Sequence, residues 1–284
     1  MDLSIIITSY KSPAILKICL NSILNSLKNK KINYELIVLD SESDEMTIDM
    51  MEEDFPDIKF IPHKENTGTS KIWNEGIREA KGKYIGIFNS DMIFQDDSIW
   101  KMLEKIKGDS QIGILGPALL DFDRSTQFSC YGAFYSPWLI LCRRTFLGKT
   151  FLGEKSVDKF LMKDWSHKET RNVHWVMGSA MMTSTDVIKK IGLLDERFFM
   201  YFEDVDWCRR AWENKLKVVY YPEAKIYHYH GKGSAKKRWF FAPFINYLAR
   251  AHIKSGLIYL WKYKFKKEPG IKEVEKCAFK KYSK

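Results

Sequence analysis

The stretch KYIGIFNSDMIF, residues 83–94, contains an apolar run that stops abruptly at three polar residues. The run YIGIF ends at Asn89, Ser90 and Asp91, and apolar residues resume immediately afterwards. A short, near-continuous apolar run is typical of a strand that is buried on both faces. The three polar residues therefore lie at the carboxyl end of a predicted buried strand.

Two earlier segments show the same pattern. LSIIITSY, residues 3–10, ends in polar residues that include Thr8 and Tyr10, and YELIVLD, residues 34–40, ends in Asp40. Further strands are predicted at residues 58–66 and 112–121, and segments with helical spacing of apolar residues separate them, namely residues 12–27, 70–82 and 97–109.

Buried strands that alternate with amphipathic helices indicate an α/β fold with a mostly parallel central sheet flanked by helices. In such sheets ligands bind at the carboxyl ends of the strands. Because three polar strand ends would meet at one edge, the sequence predicts a single site there. Residues 121–172 are less regular, and residues 174–192 predict a strand followed by a helix that begins near Ser184 or Thr185.

Length and composition favour a globular protein with a large core. The chain has 284 residues, 45% of them hydrophobic and 14% aromatic, which fits one large domain or one domain with an appendage. The five cysteines form no C-x-x-C pair, which argues against a zinc site or a disulfide framework and favours a reducing, cytoplasmic setting. The opening MDLSIIITSY does not have the form of a signal peptide.

The net charge of +10 is concentrated at one end of the chain. Residues 225–284 contain 16 Lys or Arg against 3 Asp or Glu, whereas residues 1–224 contain 30 against 33. Any partner that is attracted by positive charge is therefore expected to contact the C-terminal segment.

Asp91 has two interpretations. Asp residues commonly form turns or cap helices after strands, and that is the more frequent role. A carboxylate at a strand end that faces a pocket can also hold Mg²⁺ or Mn²⁺ while a diphosphate fills the other positions of the cation.

The segment FEDVDWCRR, residues 202–210, brings three carboxylates together after an aromatic run. Acidic residues favour the first turn of a helix, so a solvated helix start would explain them. The preceding aromatic residues favour partial burial instead, which would raise the pKa of a carboxyl group and suit it to act as a general base.

The segment YHYHGKGS, residues 227–234, combines alternating histidines with a glycine-rich loop. His228 and His230 alternate as in a strand, so they point to opposite faces, and a lone His is more often structural than a ligand. The loop that contains Lys232 offers backbone N–H groups and a cation, which suits contact with a phosphate.

Taken in order, these motifs resemble the family 2 glycosyltransferases of the GT-A fold, especially their bacterial rhamnosyltransferase-like branch. The resemblance covers about residues 3–234 and depends on SIIITSYK, VLDSESD, ENTGTSKIWNEGI, FNSDM, VMGSAMM, DERFFMYFEDVDWCRR and AKIYHYHGKGS. Each motif is weak alone, and the ordered set is specific. The resemblance implies a Rossmann-like GT-A catalytic domain over residues 1–234, with a nucleotide-binding half up to about 120 and an acceptor half from about 121.

The resemblance also implies roles for individual residues. Asp204 would be the catalytic base, Glu203 would orient the acceptor, and Asp91 and His228 would bind a divalent metal, Mg²⁺ or Mn²⁺. Other positions would contact the nucleotide-sugar donor, namely Thr8, Tyr10, Asp40, Asn66, Gly68, Lys71, Asn74, Asn89, Ser90 and Lys232. Trp175, Gly178 and Ser179 would contact the acceptor.

Two departures from the family pattern bear on the donor site. The general metal motif is D-x-D, but its first position here is Asn89, so only Asp91 supplies a charged ligand. Lys71 stands where the branch commonly has Gly, and it could itself meet a phosphate. Asp40 suits the imide N–H of uracil or thymine, which favours UDP- or dTDP-sugars, dTDP-rhamnose among them.

The implied reaction is a single displacement that inverts the anomeric carbon. The acceptor would be a hydroxyl of a glycan or polyprenyl-linked glycan in cell-surface polysaccharide synthesis. The alternative is a non-catalytic protein of the same fold that binds sugar nucleotides or polysaccharides, favoured by Asn89 and opposed by the intact Glu203–Asp204 pair.

The C-terminal segment, residues 235–284, predicts a basic, aromatic helical tail. Three basic residues near the middle of its longest apolar stretch argue against a membrane span, namely Arg250, His252 and Lys254. Helices that lie in a membrane interface fit better, which would place the enzyme on the inner face of the cell membrane. Packing of the aromatic residues on the catalytic domain is the alternative, and no base-reading module supports nucleic-acid binding. Oligomeric state is not predicted.

Overall fold

The structure is a computed structural model that describes residues 1–229 and 247–269, and it is built around a nine-stranded sheet. The described strands are β1 (Leu3–Tyr10), β2 (Tyr34–Ser41), β3 (Lys59–Pro62), β4 (Tyr84–Asn89), β5 (Met92–Phe94), β6 (Ile112–Leu120), β7 (Cys130–Tyr131), β8 (Arg171–Asn172), β9 (Trp175–Val176), β10 (Ala180–Ser184) and β11 (Lys217–His228). Of these eleven, β7 and β9 pair in a separate two-stranded sheet, and the other nine form the central sheet. The described helices are α1 (Pro13–Leu27), α2 (Glu45–Asp54), α3 (Thr69–Glu79), α4 (Ser98–Gly108), α5 (Pro137–Arg144), α6 (Phe151–Leu161), α7 (Thr185–Ile191), α8 (Glu203–Glu213) and α9 (Tyr247–Tyr263).

The first half of the sheet is parallel, in the order β3-β2-β1-β4. Helical connections between these strands produce this arrangement, because parallel neighbours need crossovers. The register places Ser9 opposite Asp40 and Thr8 opposite Asn89. The polar strand ends therefore meet at one edge, as the sequence predicts.

The second half of the sheet contains the strands that run the other way. β10 lies antiparallel between β4 and β6, and β11 runs parallel to β6. The short strand β5 pairs antiparallel with the end of β11, which places His228 opposite Met92. Six of the nine strands share one direction, so the prediction of a mostly parallel sheet between helices is confirmed.

Apolar side chains cover both faces of the sheet. One face packs against α1 and α4, and the other packs against α3, α8 and α9 with a large aromatic component. The near-continuous apolar strands predict this two-sided burial, and β6 is buried at every position.

Residues 121–172 contain more regular structure than the sequence pattern indicates. Helix α5, a 3₁₀ turn at Phe146–Lys149 and helix α6 form a helical hairpin. Local capping fixes its ends, because Ser136 Oγ accepts from Leu139 N and Thr150 Oγ1 accepts from Gly153 N.

Helix α9 packs against α8 and the segment just before it. Its buried residues are Ala251, Ser255, Gly256, Tyr259 and Tyr263. For this part of the tail the structure shows the packing alternative, and the tail residues 230–246 and 270–284 lie outside the described chain. Within the described residues, no helix combines the length and apolarity that a membrane crossing requires.

Candidate functional site

The carboxyl ends of β1 and β4 form the floor of the site. Ser90 N donates to Thr8 O at 2.9 Å, and Thr8 Oγ1 donates to Asn89 Oδ1 at 3.4 Å. Trp73 Nε1, on α3, donates to Thr8 Oγ1 at 3.4 Å. These bonds hold the polar strand ends in a fixed arrangement and leave Ser90 buried.

Asp40 is buried at the end of β2, and only one of its two carboxylate oxygens accepts a hydrogen bond from the described residues. Ser43 Oγ donates to Oδ2 at 2.7 Å, whereas Oδ1 has no hydrogen-bond partner among the described residues. Burial raises the pKa of Asp40 above its usual value, and the hydrogen bond from the Ser43 hydroxyl partly offsets the rise. A buried acceptor without a donor costs free energy, so Oδ1 is suited to receive a ligand N–H. Tyr10, at the end of β1, leaves its ring half-exposed nearby.

Asp91, just before β5, lies close to His228 at the end of β11. His228 Nε2 lies 3.6 Å from Asp91 Oδ2, and Tyr229 N donates to Asp91 O at 2.8 Å. His228 is buried and Asp91 is partly exposed, so the pair lies at the boundary of the core.

Gln127 fixes which nitrogen of His228 carries the proton. Its amide nitrogen donates to Asp121 Oδ1 at 2.8 Å and to His228 O at 2.9 Å. Its amide oxygen therefore faces His228 Nδ1 at 2.8 Å, and an amide oxygen can only accept. In the neutral form of the ring, Nδ1 therefore carries the proton, and Nε2, on the Asp91 side, is the acceptor nitrogen.

Asp91 and His228 offer ligand atoms that suit a divalent cation, and neighbouring groups hold the imidazole in position. Asp91 Oδ1 is buried without a hydrogen-bond partner in the described chain, and a second group orients the imidazole, as is usual for metal-binding histidines. Within residues 1–229 and 247–269 no cluster of three His, Cys, Asp or Glu could hold a metal ion. Two protein ligands fit a cation whose other positions belong to a diphosphate.

Asp204 is the second residue of α8, and backbone donors hold both of its oxygens. Gly178 N donates to Oδ2 at 2.9 Å and Val205 N donates to Oδ1 at 2.8 Å. Burial raises the pKa of Asp204 to about 6, and these backbone bonds oppose the rise. At neutral pH the group is therefore an ionised carboxylate, and a stronger base than an exposed one.

Glu203, which begins α8, is buried beside Asp204. Burial and the adjacent Asp204 charge raise the pKa of Glu203 well above its usual value. Its Oε2 has no partner within the part of the chain that the structure describes. Neighbouring carboxyl groups whose pKa values differ are suited to different roles, one neutral and one ionised.

The turn Gly178–Ser179 joins the two sides of the site. Asn89 N donates to Ser179 O at 2.9 Å, while Gly178 N binds Asp204. A Cβ at Gly178 would lie 2.7 Å from the Trp73 ring and 3.0 Å from Asp204 Cβ, so only glycine fits. The structure thus links Asn89, beside Asp91, to Asp204.

Three further predicted donor residues connect α3 to residues 194–199. Asn74 is buried, its Nδ2 donates to Leu194 O at 2.9 Å, and its Oδ1 accepts from Leu194 N at 2.9 Å. Asn66 Oδ1 accepts from Gly68 N, which fixes a turn where Gly68 packs on Phe199 at positive φ. These residues shape the site by holding the segment that precedes α8.

A buried ion network ties α9 to α8. Asp206 is fully buried, and Arg210 Nε contacts its Oδ2 at 2.9 Å. Lys262 Nζ at 2.6 Å and Tyr263 Oη at 2.8 Å both contact its Oδ1 from α9. Lys262 also contacts Asp195 Oδ2 at 2.7 Å. Helix α9 therefore supplies part of the charge that compensates a carboxylate two residues beyond Asp204.

The remaining predicted site residues are Trp175, Lys71, Lys232 and, for its side chain, Ser179. Trp175 is buried, its indole N–H donates to Ala133 O, and its ring stacks on Tyr131 at 3.8 Å, so it supports the wall of the site from within the core. Lys71 is exposed on α3, and Lys232 lies outside the described residues. Ser179 is buried, and its Oγ has no hydrogen-bond partner within the described ranges.

Sequence reasoning did not identify Trp73, Gln127 or Lys262. Trp73 and Lys262 lie in apolar or basic patterns that also fit ordinary core and surface positions. Gln127 lies in the stretch interpreted as irregular, and only the paired contacts with Asp121 and His228 show its role.

Comparison with known proteins gives consistent results at the sequence level. Residues 2–242 match the family described as Glycosyltransferase like family 2. The chain is 25% identical over 237 residues to the N-acetylglucosaminyl-diphospho-decaprenol L-rhamnosyltransferase of Mycobacterium tuberculosis, covering 79% of this chain and 74% of that protein. It is 24% identical over 249 residues to rhamnosyltransferase WbbL of Escherichia coli, covering 84% and 90%. It is 26% identical to dTDP-rhamnosyl transferase RfbF of Shigella flexneri, covering 76% and 66%.

Solved structures share the fold at low sequence identity. GalNAc-T7 with UDP, GalNAc and Mn²⁺ superposes with a TM-score of 0.58 at 13% identity, covering 80% of this chain and 44% of that one. The mannosyltransferase PcManGT from Pyrobaculum calidifontis, in complex with GDP-Man and Mn²⁺, gives 0.54 at 14% identity, covering 82% and 59%.

Proposed function

The chain belongs to the glycosyltransferase-like family 2 and is an enzyme of the glycosyltransferase type; from this premise we propose an inverting, metal-dependent transferase. It moves a sugar from a nucleoside-diphosphate donor to a hydroxyl of a glycan or lipid-linked glycan. The observation that carries the proposal is the joining of Asn89, next to the Asp91–His228 pair, to Asp204 through Gly178–Ser179.

The nucleotide binds at the ends of β1 and β2. Asp40 Oδ1 accepts the imide N–H of uracil or thymine, and the exposed face of Tyr10 stacks on the base. UDP- and dTDP-sugars fit this arrangement. The names of the M. tuberculosis, E. coli and S. flexneri relatives favour a rhamnosyl donor such as dTDP-rhamnose.

Asp91 and His228 are the residues that would hold a divalent cation. When bound, the cation supplies positive charge that stabilises the departing diphosphate. Gln127 keeps the His228 acceptor nitrogen on the Asp91 side, and neutral Asn89 leaves Asp91 as the charged protein ligand.

Asp204 acts as the general base. It takes the proton of the acceptor hydroxyl while that oxygen forms a bond to the anomeric carbon. The bond from that carbon to the diphosphate oxygen breaks on the opposite face, so the configuration inverts and no covalent sugar–enzyme intermediate forms. Glu203 orients the acceptor, and Gly178 lets the acceptor approach the backbone.

The lipid-linked acceptor of the M. tuberculosis relative, a decaprenol diphosphate in its name, motivates a proposal about location. The acceptor here is carried on a polyprenyl lipid at the inner face of the cell membrane, and the enzyme is peripheral. The outer face of α9 supports this, because it exposes Ile253, Leu257 and Trp261 at a spacing of four, and Phe265 just beyond the helix is exposed as well.

The proposal is tested by nucleotide release with UDP- and dTDP-sugars and glycan acceptors, with and without Mn²⁺. We expect turnover that requires Mn²⁺ or Mg²⁺ and gives an inverted product by NMR. Equal turnover by wild type and Asp204→Asn would overturn the mechanism. Metal-dependent donor binding without turnover across a broad acceptor panel would favour the non-catalytic alternative, which neutral Asn89 motivates.

A further inference from the structure

The helical hairpin formed by α5, the 3₁₀ turn and α6, residues 137–161, exposes an unusual amount of apolar surface. Phe146 and Phe151, at the tip between the two helices, are 76% and 75% exposed. Leu152 is 64% exposed, and Trp138 and Leu141 are each 44% exposed. A water-soluble surface rarely concentrates five large apolar side chains in so short a segment unless it contacts another apolar phase.

Three of these side chains, Trp138, Leu141 and Leu152, form one surface across both helices, and Phe146 and Phe151 lie at the tip that joins the helices. Trp138 Nε1 on α5 donates to Ser156 Oγ on α6 at 3.0 Å, and Ser156 Oγ donates to Leu152 O at 2.8 Å. Trp138 therefore lies beside the turn of α6 that carries Leu152. Leu141 follows Trp138 by three positions on the same side of α5.

The hairpin sequence is basic as well as apolar. Residues 137–161 contain five Lys or Arg against two Asp or Glu, and Lys149 is exposed at the tip between Phe146 and Phe151. Aromatic side chains with cations among them suit the headgroup region of an anionic bilayer. A symmetric contact between two copies would instead bring two positive faces together, which disfavours self-association.

The hairpin lies directly beside the proposed acceptor side of the site. Tyr135, just before α5, contacts the ring of Phe202 with centroids 4.8 Å apart, and Phe202 precedes Glu203. Arg143 on α5 donates to Tyr135 Oη at 2.6 Å, which ties the hairpin to this ring. A partner surface that immobilises the hairpin would therefore also restrain the start of α8.

We infer that the exposed face of the 137–161 hairpin docks on an anionic lipid surface, in addition to any contact made by the tail. Phe146 and Phe151 enter the interface and Lys149 meets lipid phosphate. Docking would also deliver a lipid-linked hydroxyl to Asp204, and this consequence for catalysis rests on the proposed function. The docking itself does not depend on the proposed function.

The test is sedimentation of the full chain with vesicles of phosphatidylglycerol and phosphatidylethanolamine, compared with phosphatidylcholine alone. Removing two inserted phenyl rings with Phe146→Ser/Phe151→Ser should weaken binding to the anionic vesicles at least about tenfold. Met46→Ser is the matched control, because Met46 is an exposed apolar residue on α2. Lys149→Glu should weaken the same binding, and by less as salt is raised.

A loss of less than about threefold in the double variant, or equal binding of wild type to neutral and anionic vesicles, would overturn the inference. A wild-type dimer by light scattering that the double variant converts to monomer would also overturn it, since the face would then be a contact between copies. Thermal unfolding of both variants near the wild-type temperature shows that folding is intact. Vesicle binding needs no turnover, so failure of the transferase proposal would leave this result unchanged, and unchanged transfer to a soluble acceptor separates docking from catalysis.

Discussion

The proposed donor and acceptor sides of the site are built in different ways. On the donor side, Thr8, Asp40 and Asn89 stand at the ends of adjacent parallel strands, and the register of the sheet brings them together. On the acceptor side, Asp204 is placed by contacts between segments that are far apart in the sequence. Gly178 binds it directly, and α9 anchors the same helix through Lys262.

This difference means that damage to the two sides should separate experimentally. A change on the donor side should act on metal and nucleotide affinity. A change on the acceptor side should act on the turnover number and leave nucleotide affinity near its wild-type value. The predictions below test that separation, beginning with the largest expected effect.

Asp204→Asn should remove the general base while preserving shape. We expect the turnover number to fall about 10²–10⁴-fold, the usual contribution of such a group. Nucleotide affinity by calorimetry should stay within about twofold, because only an acceptor-side carboxylate is changed. Glu203→Gln is the matched control and should retain more activity, since a neutral amide can still donate a hydrogen bond. A large loss of nucleotide affinity in Asp204→Asn would show that the two sides are not separable.

Asp91→Ala should affect the donor side in the opposite manner. Loss of the charged ligand should weaken Mn²⁺-dependent nucleotide binding by about 10²-fold or more, since removing even an outer partner of a metal ligand costs about 10–100-fold. Titration calorimetry with UDP and dTDP, with and without Mn²⁺, measures this. Asp96→Ala, in the loop after β5, is the control. If Asp91→Ala bound nucleotide with unchanged metal dependence, the cation would have to be held elsewhere.

Gln127→Ala should give a smaller effect of the same kind. Without the amide oxygen the proton on His228 Nδ1 is no longer fixed, and metal affinity should fall about 10–100-fold. Gln127→Glu keeps an acceptor facing Nδ1 but turns a second oxygen toward Asp121 Oδ1 and His228 O, so it should restore little of the affinity. Equal affinity in wild type and Gln127→Ala would mean that the imidazole does not bind the metal.

The pH dependence tests the acceptor side alone. Because burial raises the pKa of Asp204 to about 6, the base is lost to protonation below that pH and kept above it. The logarithm of kcat/KM should therefore fall with a slope near one below about pH 6, about tenfold per unit, and level off above it. If kcat/KM instead began to fall only near pH 4, Asp204 would not be buried during turnover.

Lys262→Met should give the smallest effect, exerted at a distance. It leaves Asp206 with less compensating charge, and a displaced α8 should lower the turnover number about tenfold at unchanged nucleotide affinity. Lys262→Arg retains the charge and should restore most of the activity. Hydrogen exchange at residues 198–206 should rise in Lys262→Met while exchange in α3 does not. No change in turnover or exchange would mean that α9 does not position this helix.

Most of the sheet could be predicted because each strand carries its own signal. The runs at β1, β2, β4 and β6 are apolar throughout, and the polar residues after them mark the strand ends. Strand β5 could not be predicted, because three residues are too few to show an alternating pattern. This strand forms through its pairing with β11. The 137–161 hairpin was missed because its helices expose many apolar residues, which obscures the helical pattern.

The residues of the candidate site were predicted by type, and several of their partners were not. Asp40, Asp91 and Asp204 stand out as carboxylates after apolar or aromatic segments. The contacts that prepare them, such as Gln127 with His228 and Lys262 with Asp206, span 101 and more than 50 residues. No local pattern encodes such distant pairs, so only the three-dimensional structure identifies them. The roles of all these residues in catalysis remain predictions.

The bond between Tyr263 and Asp206 crosses 57 residues of sequence, and this has a consequence for the order of assembly. Strands β1, β2 and β3 have all their sheet partners once β4 ends at Asn89, whereas Asp206 needs partners made more than 50 residues after it. During synthesis the sheet edge that carries Asp40 can therefore form before the helix that carries Asp204 is anchored. Under the proposed function, the donor site would assemble before the catalytic base is held in place.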